Sequence, residues 1–344
     1  MLSSLLESIH VGYRSTVFAA IGLREYTKSG FERASLSFTP GALDKDLKEK
    51  TIIVTGANSG LGFSTAKEFA QRGANVLMLC RNPQAGAKAK DEIVKETGNQ
   101  HVQVAICDVS LLHSVKSFAD SFVAEHKPLH VLVNNAGAMS TKRELTSEGI
   151  ETSFALNSLG TYFLTRLLTP VLESTDDARV VTVSSAGMYN KALDADDLEF
   201  EKLNPYDGVM SYAQDKRRQV EMTNRWAEEQ TTKYGSGKER VLFYTMHPCW
   251  TETPGVEKSL PGFYNALKNS LRTPQQGCDT TIWASISDEV RVKAQPGSFL
   301  QDRAPARQHL IGAGTQTTKQ EVDKFIEKCD AIIEKVLGPG AKTW

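Results

Sequence analysis

An open, doubly wound α/β sheet is the fold this sequence predicts, on two observations. Short apolar runs alternate with longer stretches of helical periodicity from residue 50 to about residue 300. The runs "TIIVT" (51–55), "NVLML" (75–79), "VQVAI" (102–106), "HVLVN" (130–134), "RVVTVS" (179–184) and "RVLFYTM" (240–246) are mostly continuously apolar, as strands buried on both faces of a parallel sheet are. Parallel neighbours need crossovers, and the intervening helices supply them as right-handed βαβ units. The span accommodates a single sheet of about seven strands with helices on both faces.

The elements follow in order. Residues 1–48 read as a helical extension and linker. Leu2, Leu5, Leu6, Ile9, Tyr13, Val17, Phe18 and Ile21 recur at three- and four-residue steps, and "PGALDKDLKEK" (40–50) is polar and begins with Pro-Gly. Residues 49–305 form one domain, its helices expected at 61–72, 84–97, 111–126, 150–174 and 211–234. Residues 306–344 form a second extension, with an amphipathic helix at 319–337 carried by Val322, Phe325, Ile326, Cys329, Ile333 and Val336.

Composition excludes several classes. Net charge is −1, so nothing calls for nucleic acid or an acidic membrane surface. The five cysteines (80, 107, 249, 278 and 329) include no C-x-x-C pair, and the histidines show no metal-ligand spacing; neither a disulfide framework nor a metal is expected. A reducing compartment follows, cytoplasmic or at the cytoplasmic face of a membrane. No apolar run approaches the ~20 residues a spanning helix needs. The N-terminal amphipathic helix packs on the domain or a partner, with an interfacial membrane anchor as the alternative.

"TGANSGLG" (55–62) follows the first strand and opens a helix, where phosphate chemistry on such a sheet belongs. Gly56 permits the tight turn, Gly60 lets backbone approach a pyrophosphate, and Gly62 allows close helix–strand packing. The helix N-terminus adds amide donors and a positive dipole end. The second strand ends "LMLCRNP": the acid that takes the ribose hydroxyls in NAD sites is absent, and Arg81 stands just beyond. A surface arginine is common, but both features favour NADP(H) over NAD(H).

With these motifs on one Rossmann-type sheet, the sequence resembles the short-chain dehydrogenase/reductase family from about residue 50 to 255. The spacing T-G-x-x-x-G-x-G is that of its single-domain subtype. "GANSGLGFSTAKEFAQRGANVLMLCRN" is also similar to its NADP-preferring retinol dehydrogenase branch. The resemblance implies a cofactor site at Gly56, Asn58, Ser59, Gly60, Leu61 and Gly62, with Arg81 added by the reading above. "CDVS" brings Asp108 and Val109 to the adenine, and "NNAG" places Asn135, Ala136 and Gly137 beside the cofactor. "HPCWTETPG" supplies Pro248, Thr251 and Thr253 next to the nicotinamide.

The implied catalytic residues are Asn157, Ser185, Tyr212 and Lys216. Tyrosine's ordinary pKa of ~10 is too high for a base at neutral pH, and a cation one helical turn on, Lys216, lowers it. By the resemblance Lys216 also holds the nicotinamide ribose, and Asn157 holds a water that relays protons to it. Ser185 hydrogen-bonds the substrate oxygen as charge develops. Tyr212 then acts as acid in reduction and base in oxidation. Alone, Asn157 reads as a helix-bridging amide and Ser185 as a turn residue. The pairs Tyr234–Lys238 and Tyr264–Lys268 share the tyrosine–lysine spacing but lack a serine-bearing strand before them.

Two departures from the family pattern stand out. Cys249 occupies the position after Pro248 where glycine is usual. Asp215, beside Lys216, would oppose phenolate formation and is expected to point to solvent. The function expected is hydride transfer between NADP(H) and an apolar carbonyl or alcohol, with Tyr189 and Ser185 on the substrate side. A non-catalytic nucleotide-binding scaffold or sensor is the alternative. The family resemblance also implies a homodimer through the helices holding Asn157 and Tyr212.

Overall fold

The computed structural model describes the backbone from Leu2 to Ala341 and side chains from His10 onward. Its sheet has eight strands: β1 (Thr51–Thr55), β2 (Asn75–Cys80), β3 (Val102–Ile106), β4 (Val131–Asn134), β5 (Ala178–Val183), β6 (Val241–Met246), β7 (Phe299–Gln301) and β8 (Ala304–Ala306). Their order is β3-β2-β1-β4-β5-β6-β7-β8, and all neighbours are parallel except β7 and β8. The antiparallel eighth strand is the departure from the expected count. Its three residues are too short for periodicity to register. Asp302 and Arg303 join it to β7 with φ of 50° and 58°, the two left-handed residues of a tight hairpin turn.

Strand order reverses between β1 and β4, which opens a crevice beyond their carboxyl ends. Both sheet faces are covered. Helices Gly60–Gln71, Pro83–Thr97 and Pro274–Ile286 close one side over Ile52, Val54, Val76 and Val133. Leu112–Ala124, Thr161–Glu173 and Gly208–Tyr234 close the other over Ile53, Leu132 and Val180.

The helix expected over 150–174 is interrupted. Ala155–Gly160 is a π-helical segment that shifts the ladder, and Thr161–Glu173 resumes the α form. Gly160 is required here: a Cβ would lie 1.8 Å from the Val109 carbonyl oxygen, so the segment presses on the loop after β3.

The C-terminal helix, Lys319–Leu337, begins with a capping box between Thr318 and Glu321. It buries Phe325, Ile326, Cys329 and Ile333 against the second face, and the Tyr162 hydroxyl donates to Asp330 Oδ1 at 2.8 Å. The helices carrying Asn157 and Tyr212 are therefore covered by the chain itself.

The N-terminal helix Leu2–Ile21 continues through a π turn (Gly22–Tyr26) into Lys28–Ser35. Val17, Phe18 and Ile21 pack against a cluster of Tyr26, Met188, Tyr189, Cys249, Phe299 and Leu310. Part of the predicted apolar face thus packs on the domain; the side chains of Leu2, Leu5, Leu6 and Ile9 lie outside the described residues. No helix among the described residues is long and apolar enough to cross a membrane.

Phe325 is fully buried beneath the C-terminal helix. Phe325→Ala is expected to lower unfolding free energy by about 3–5 kcal/mol, read by urea denaturation. A loss below about 1 kcal/mol would mean that this helix does not dock as described.

Candidate active site

The candidate site residues lie beyond the carboxyl ends of six strands, β1 to β6, and on the helices that follow them. Beyond β1, Gly56 takes φ +63° and Gly60 +55°, conformations that favour glycine. A Cβ on Gly62 would lie 2.4 Å from the Gly56 carbonyl oxygen, so only glycine lets the helix start this close to its strand. Thr55 Oγ1 accepts from the amides of Asn135 (2.9 Å) and Ala136 (2.8 Å), and Asn135 Nδ2 donates to the Thr55 carbonyl (2.8 Å). These bonds lock the glycine loop to the end of β4 and commit the Asn135 side chain to scaffolding. Ser59 is exposed and provides no side-chain cap to the helix from Gly60, leaving first-turn N–H groups for an anion. Leu61 packs against the first face and Asn58 is half-buried.

Arg81 is exposed one residue beyond β2, whose Leu79 carbonyl accepts from the Gly56 amide at 2.8 Å. Asp108 caps its own turn: Oδ1 accepts from the Ser110 amide (3.0 Å) and hydroxyl (2.6 Å), while Val109 is buried against the π segment. A glycine loop pinned to β4 and an uncapped helix start fit a dinucleotide, and Arg81 stands exposed past β2.

Asn157, on the π segment, is fully buried. Its Oδ1 accepts from the Ala138 amide (3.0 Å) and its Nδ2 donates to the Ala138 carbonyl (2.9 Å), clamping the chain that follows "NNAG". Lys216 Nζ donates to the Val183 carbonyl (2.8 Å) and to Gln219 Oε1 (3.1 Å), and lies 5.1 Å from the centre of the Tyr212 ring. The Ser184 hydroxyl donates to the Lys216 carbonyl (2.8 Å), fastening the end of β5 to the helix that carries Tyr212. Ser185 is half-buried and caps the 3₁₀ turn Ala186–Asn190. A Cβ on Gly137 would stand 2.9 Å from Asn157 Oδ1 and 3.4 Å from Lys216 Nζ, so this glycine keeps the floor beside the lysine open.

Asp215 overturns the expectation of a solvent-facing carboxylate. It is 0% exposed and turned inward. Oδ2 accepts from the Ser153 hydroxyl (2.8 Å), and Oδ1 from the Ser158 hydroxyl (2.7 Å) and Arg218 Nη1 (3.1 Å). Arg218, also 0% exposed, donates to the carbonyls of Leu198 and Asp197 and lies against Phe154 and Phe200 at 5.1 and 4.9 Å. A buried charge needs such pairing. Burial, with Asp215 adding to it, pushes the Tyr212 phenol well above its ordinary pKa; burial pulls Lys216 down to about 8, against the opposing pull of Asp215.

The loop after β6 completes the site. Cys249 takes φ +60°, which accounts for glycine being usual there, and its side chain is buried. Thr251 is buried with its hydroxyl on the Pro248 carbonyl (2.7 Å), while Thr253 caps Pro254–Ser259 and would stand 3.5 Å from a Cβ on Gly60. Pro248 is half-buried.

Comparison with known proteins assigns the chain to a family. A family profile described as short chain dehydrogenase matches residues 50–193. Human dehydrogenase/reductase SDR family member 12 is 46% identical over 323 residues, 94% of this chain and 98% of the relative. The chain belongs to the short-chain dehydrogenase/reductase family. Human retinol dehydrogenase 11 is 35% identical over 248 residues, covering 72% of this chain and 76% of its own. A solved structure from Mycobacterium paratuberculosis superposes with TM-score 0.63 at 26% identity, covering 86% of this chain and 96% of that one. As a short-chain dehydrogenase/reductase the chain is an oxidoreductase built to bind a nicotinamide cofactor.

Of the expected residues, the structure brings Lys216 beside Tyr212, and Asn157 and Lys216 beside Gly137. Tyr189 is buried and its hydroxyl donates to the Arg307 carbonyl. Tyr234 ends its helix at Gly235, and the Tyr264 hydroxyl donates to Glu252 Oε1 (3.0 Å), so neither forms a rival pair. Two neighbours went unpredicted. His247 Nδ1 accepts from the amides of Ala186 (3.2 Å) and Cys249 (3.3 Å), joining the Ser185 turn to the cofactor loop, and burial, with Arg272 nearby, lowers its pKa to about 3. Gln219 sits three residues past Lys216, a spacing that places both on one helix face.

The ion pair yields a stability test. Arg218→Met, leaving Asp215 buried without its cation, is expected to cost about 3–5 kcal/mol, and adding Asp215→Leu to recover most of it. Denaturation of the single and double variants measures the coupling; simple additivity would contradict the pairing.

Proposed function

We propose that this chain is an NADPH-dependent carbonyl reductase acting on an apolar aldehyde or ketone. The observation that carries the reading is Lys216 Nζ lying 5.1 Å from the Tyr212 ring and, with Asn157 Oδ1, beside the glycine at 137, on a helix that Ser184 ties to the end of β5 next to Ser185. Bound NADPH would supply the hydride. The chain's own groups do the rest. Tyr212 delivers a proton to the carbonyl oxygen, and Ser185 donates a hydrogen bond to that oxygen as negative charge grows on it. Lys216 bears its charge next to the tyrosine and holds the nicotinamide ribose, while the glycine-loop amides take the pyrophosphate.

Electrostatics supports the acid role of Tyr212. Burial and Asp215 keep the Tyr212 phenol protonated through the neutral range, which suits a proton donor. Arg81, with no carboxylate at the end of β2, supports the 2′-phosphate. The segment past Thr253 supports an apolar substrate: Ser259 Oγ donates to the Met139 carbonyl (3.3 Å), bringing it over the end of β4, and Phe263 packs edge-on against Trp250. The name of retinol dehydrogenase 11 accords with that class. Because Lys319–Leu337 covers the helices of Asn157 and Tyr212, the reading includes no homodimer through that face.

Tyr212→Phe is expected to cut kcat for reduction by about 10²-fold or more while NADPH still quenches protein fluorescence. Near-normal turnover would remove Tyr212 from the mechanism. Arg81→Asp should shift the NADPH/NADH preference at least about tenfold toward NADH, since a charge-assisted phosphate contact is at stake. An unchanged ratio of kcat/KM values would show that Arg81 does not read the phosphate.

A further inference from the structure

The 3₁₀ turn that follows Ser185 is fastened to the helix of Tyr212 at both ends. At its entry the Ser184 hydroxyl donates to the Lys216 carbonyl (2.8 Å). At its exit the next helix residue, Arg217, donates from Nε to the Lys191 carbonyl (3.2 Å) and from Nη2 to the Met188 carbonyl (3.3 Å). Arg217 is 0% exposed, and a charge so buried needs a partner: Glu221, one helical turn on, stands 3.7 Å away. The Thr317 hydroxyl donates to Glu221 Oε1 at 2.8 Å, which ties the carboxylate to the C-terminal extension. Filling this volume does not call for a guanidinium, since an apolar side chain would do so without desolvating a charge. What the guanidinium adds is a rigid fork of donors, here set on two carbonyls of one short turn.

We propose that Arg217 is a positioning residue for Ser185: its fork holds the Met188 and Lys191 carbonyls, and through them the turn that aims the Ser185 hydroxyl. Ser185 Oγ accepts from the Gly187 amide at 3.1 Å, and the Ser185 carbonyl accepts from the Met188 amide at 3.1 Å. With its oxygen engaged as an acceptor inside the turn, the hydroxyl keeps its hydrogen for an acceptor outside it. Met188 is the link between fork and serine. Its amide is bonded to Ser185, while its carbonyl takes both the Lys191 amide (3.1 Å) and Arg217 Nη2. Loss of the fork therefore loosens the one residue that closes the turn on Ser185. Arg217 touches no reacting atom in this arrangement, and its effect passes through the serine.

The inference rests on the reductase reading, and variants of the full chain test the two separately. Arg217→Lys keeps a charge beside Glu221, but a single ammonium does not replace a fork on two carbonyls. Its kcat for NADPH-dependent reduction of nonanal or retinal is expected to fall about tenfold, with NADPH affinity and aldehyde KM within about twofold of wild type. Ser185→Ala is expected to lose about 10²-fold in kcat. Adding Arg217→Lys to it should cost less than about twofold more, because the group through which Arg217 acts is gone. A merely structural role would multiply the two losses, and that result overturns the proposal. So does a loss of NADPH affinity as large as the loss in kcat, which would place the effect at Lys216. Where Arg217→Lys fails to fold, Arg217→Met with Glu221→Gln removes both charges and is read in the same way. Hydrogen exchange of the Gly187 amide, whose acceptor is the Ser185 hydroxyl, reads the positioning without turnover. It should quicken at least about tenfold in either variant while the β1 amides keep their rates, and wild-type exchange overturns the proposal. Wild-type protein that binds NADPH but reduces neither aldehyde, or Ser185→Ala that keeps its kcat, overturns the reductase reading instead, and exchange at Gly187 still decides for Arg217.

Discussion

A carboxylate taken out of water between the tyrosine and the lysine of the site is the constraint around which this molecule is organised. Asp215 cannot be buried without donors, and three elements supply them: the Ser153 hydroxyl before the π segment, the Ser158 hydroxyl within it, and Arg218 one helical turn on. Arg218 in turn needs acceptors and faces, and it gathers the carbonyls of Leu198 and Asp197 and the rings of Phe154, Phe200 and Phe325. One charge thereby fixes the π segment, the loop after the 3₁₀ turn and the C-terminal helix against the helix of Tyr212. The arrangement sets geometry more than it adds net stability, because the cost of desolvating both ions offsets much of their attraction.

The same carboxylate explains why the tyrosine and lysine sit where they do on the pH scale. Desolvation disfavours charge on both, raising the phenol and lowering the amine. Asp215 adds to the first shift and opposes the second, so it keeps the lysine cationic while holding the tyrosine protonated. The opposite shifts of the pair thus have one physical origin, burial, with Asp215 acting on both.

How much of this was legible in the sequence depended on whether the signal was local. Continuous apolar runs located β1 to β6 because burial on both faces demands them; β7 and β8 carry three residues each and no period. The glycine loop was legible from its glycine spacing after a strand, whereas Asn157, Ser185, Tyr212 and Lys216 were expected from the family resemblance, each being ordinary when read alone. The orientation of Asp215 was not. On an isolated helix a charge between polar neighbours faces water, and only the serines of a segment 57–62 residues earlier and Arg218 reverse that preference. Gln219 was within reach, since it shares a helix face with Lys216, but its Nε2 donates to the main-chain carbonyl of Asn157, released by a π turn that no side-chain pattern announces. Tyr189 read as a pocket residue from composition alone, and packing turned it inward.

The loop after β6 shows how the extensions enter the site without contributing a reacting group. Cys249 must hold a left-handed backbone that glycine would adopt without cost, so neighbouring contacts have to sustain it. His247 accepts two amides on either side of the loop, which requires a neutral ring, and burial beside Arg272 keeps it neutral. Arg272 binds Asp302 of the β7–β8 turn and the carbonyls of Glu25 and Thr27, while the Trp250 amide donates to the Tyr26 carbonyl at 3.0 Å. Gly22 packs so tightly on Trp250 that a Cβ would lie 2.1 Å from its ring. The short hairpin and the N-terminal segment, both silent in the chemistry, thus converge on one arginine whose work is to hold the strained loop beside the cofactor crevice.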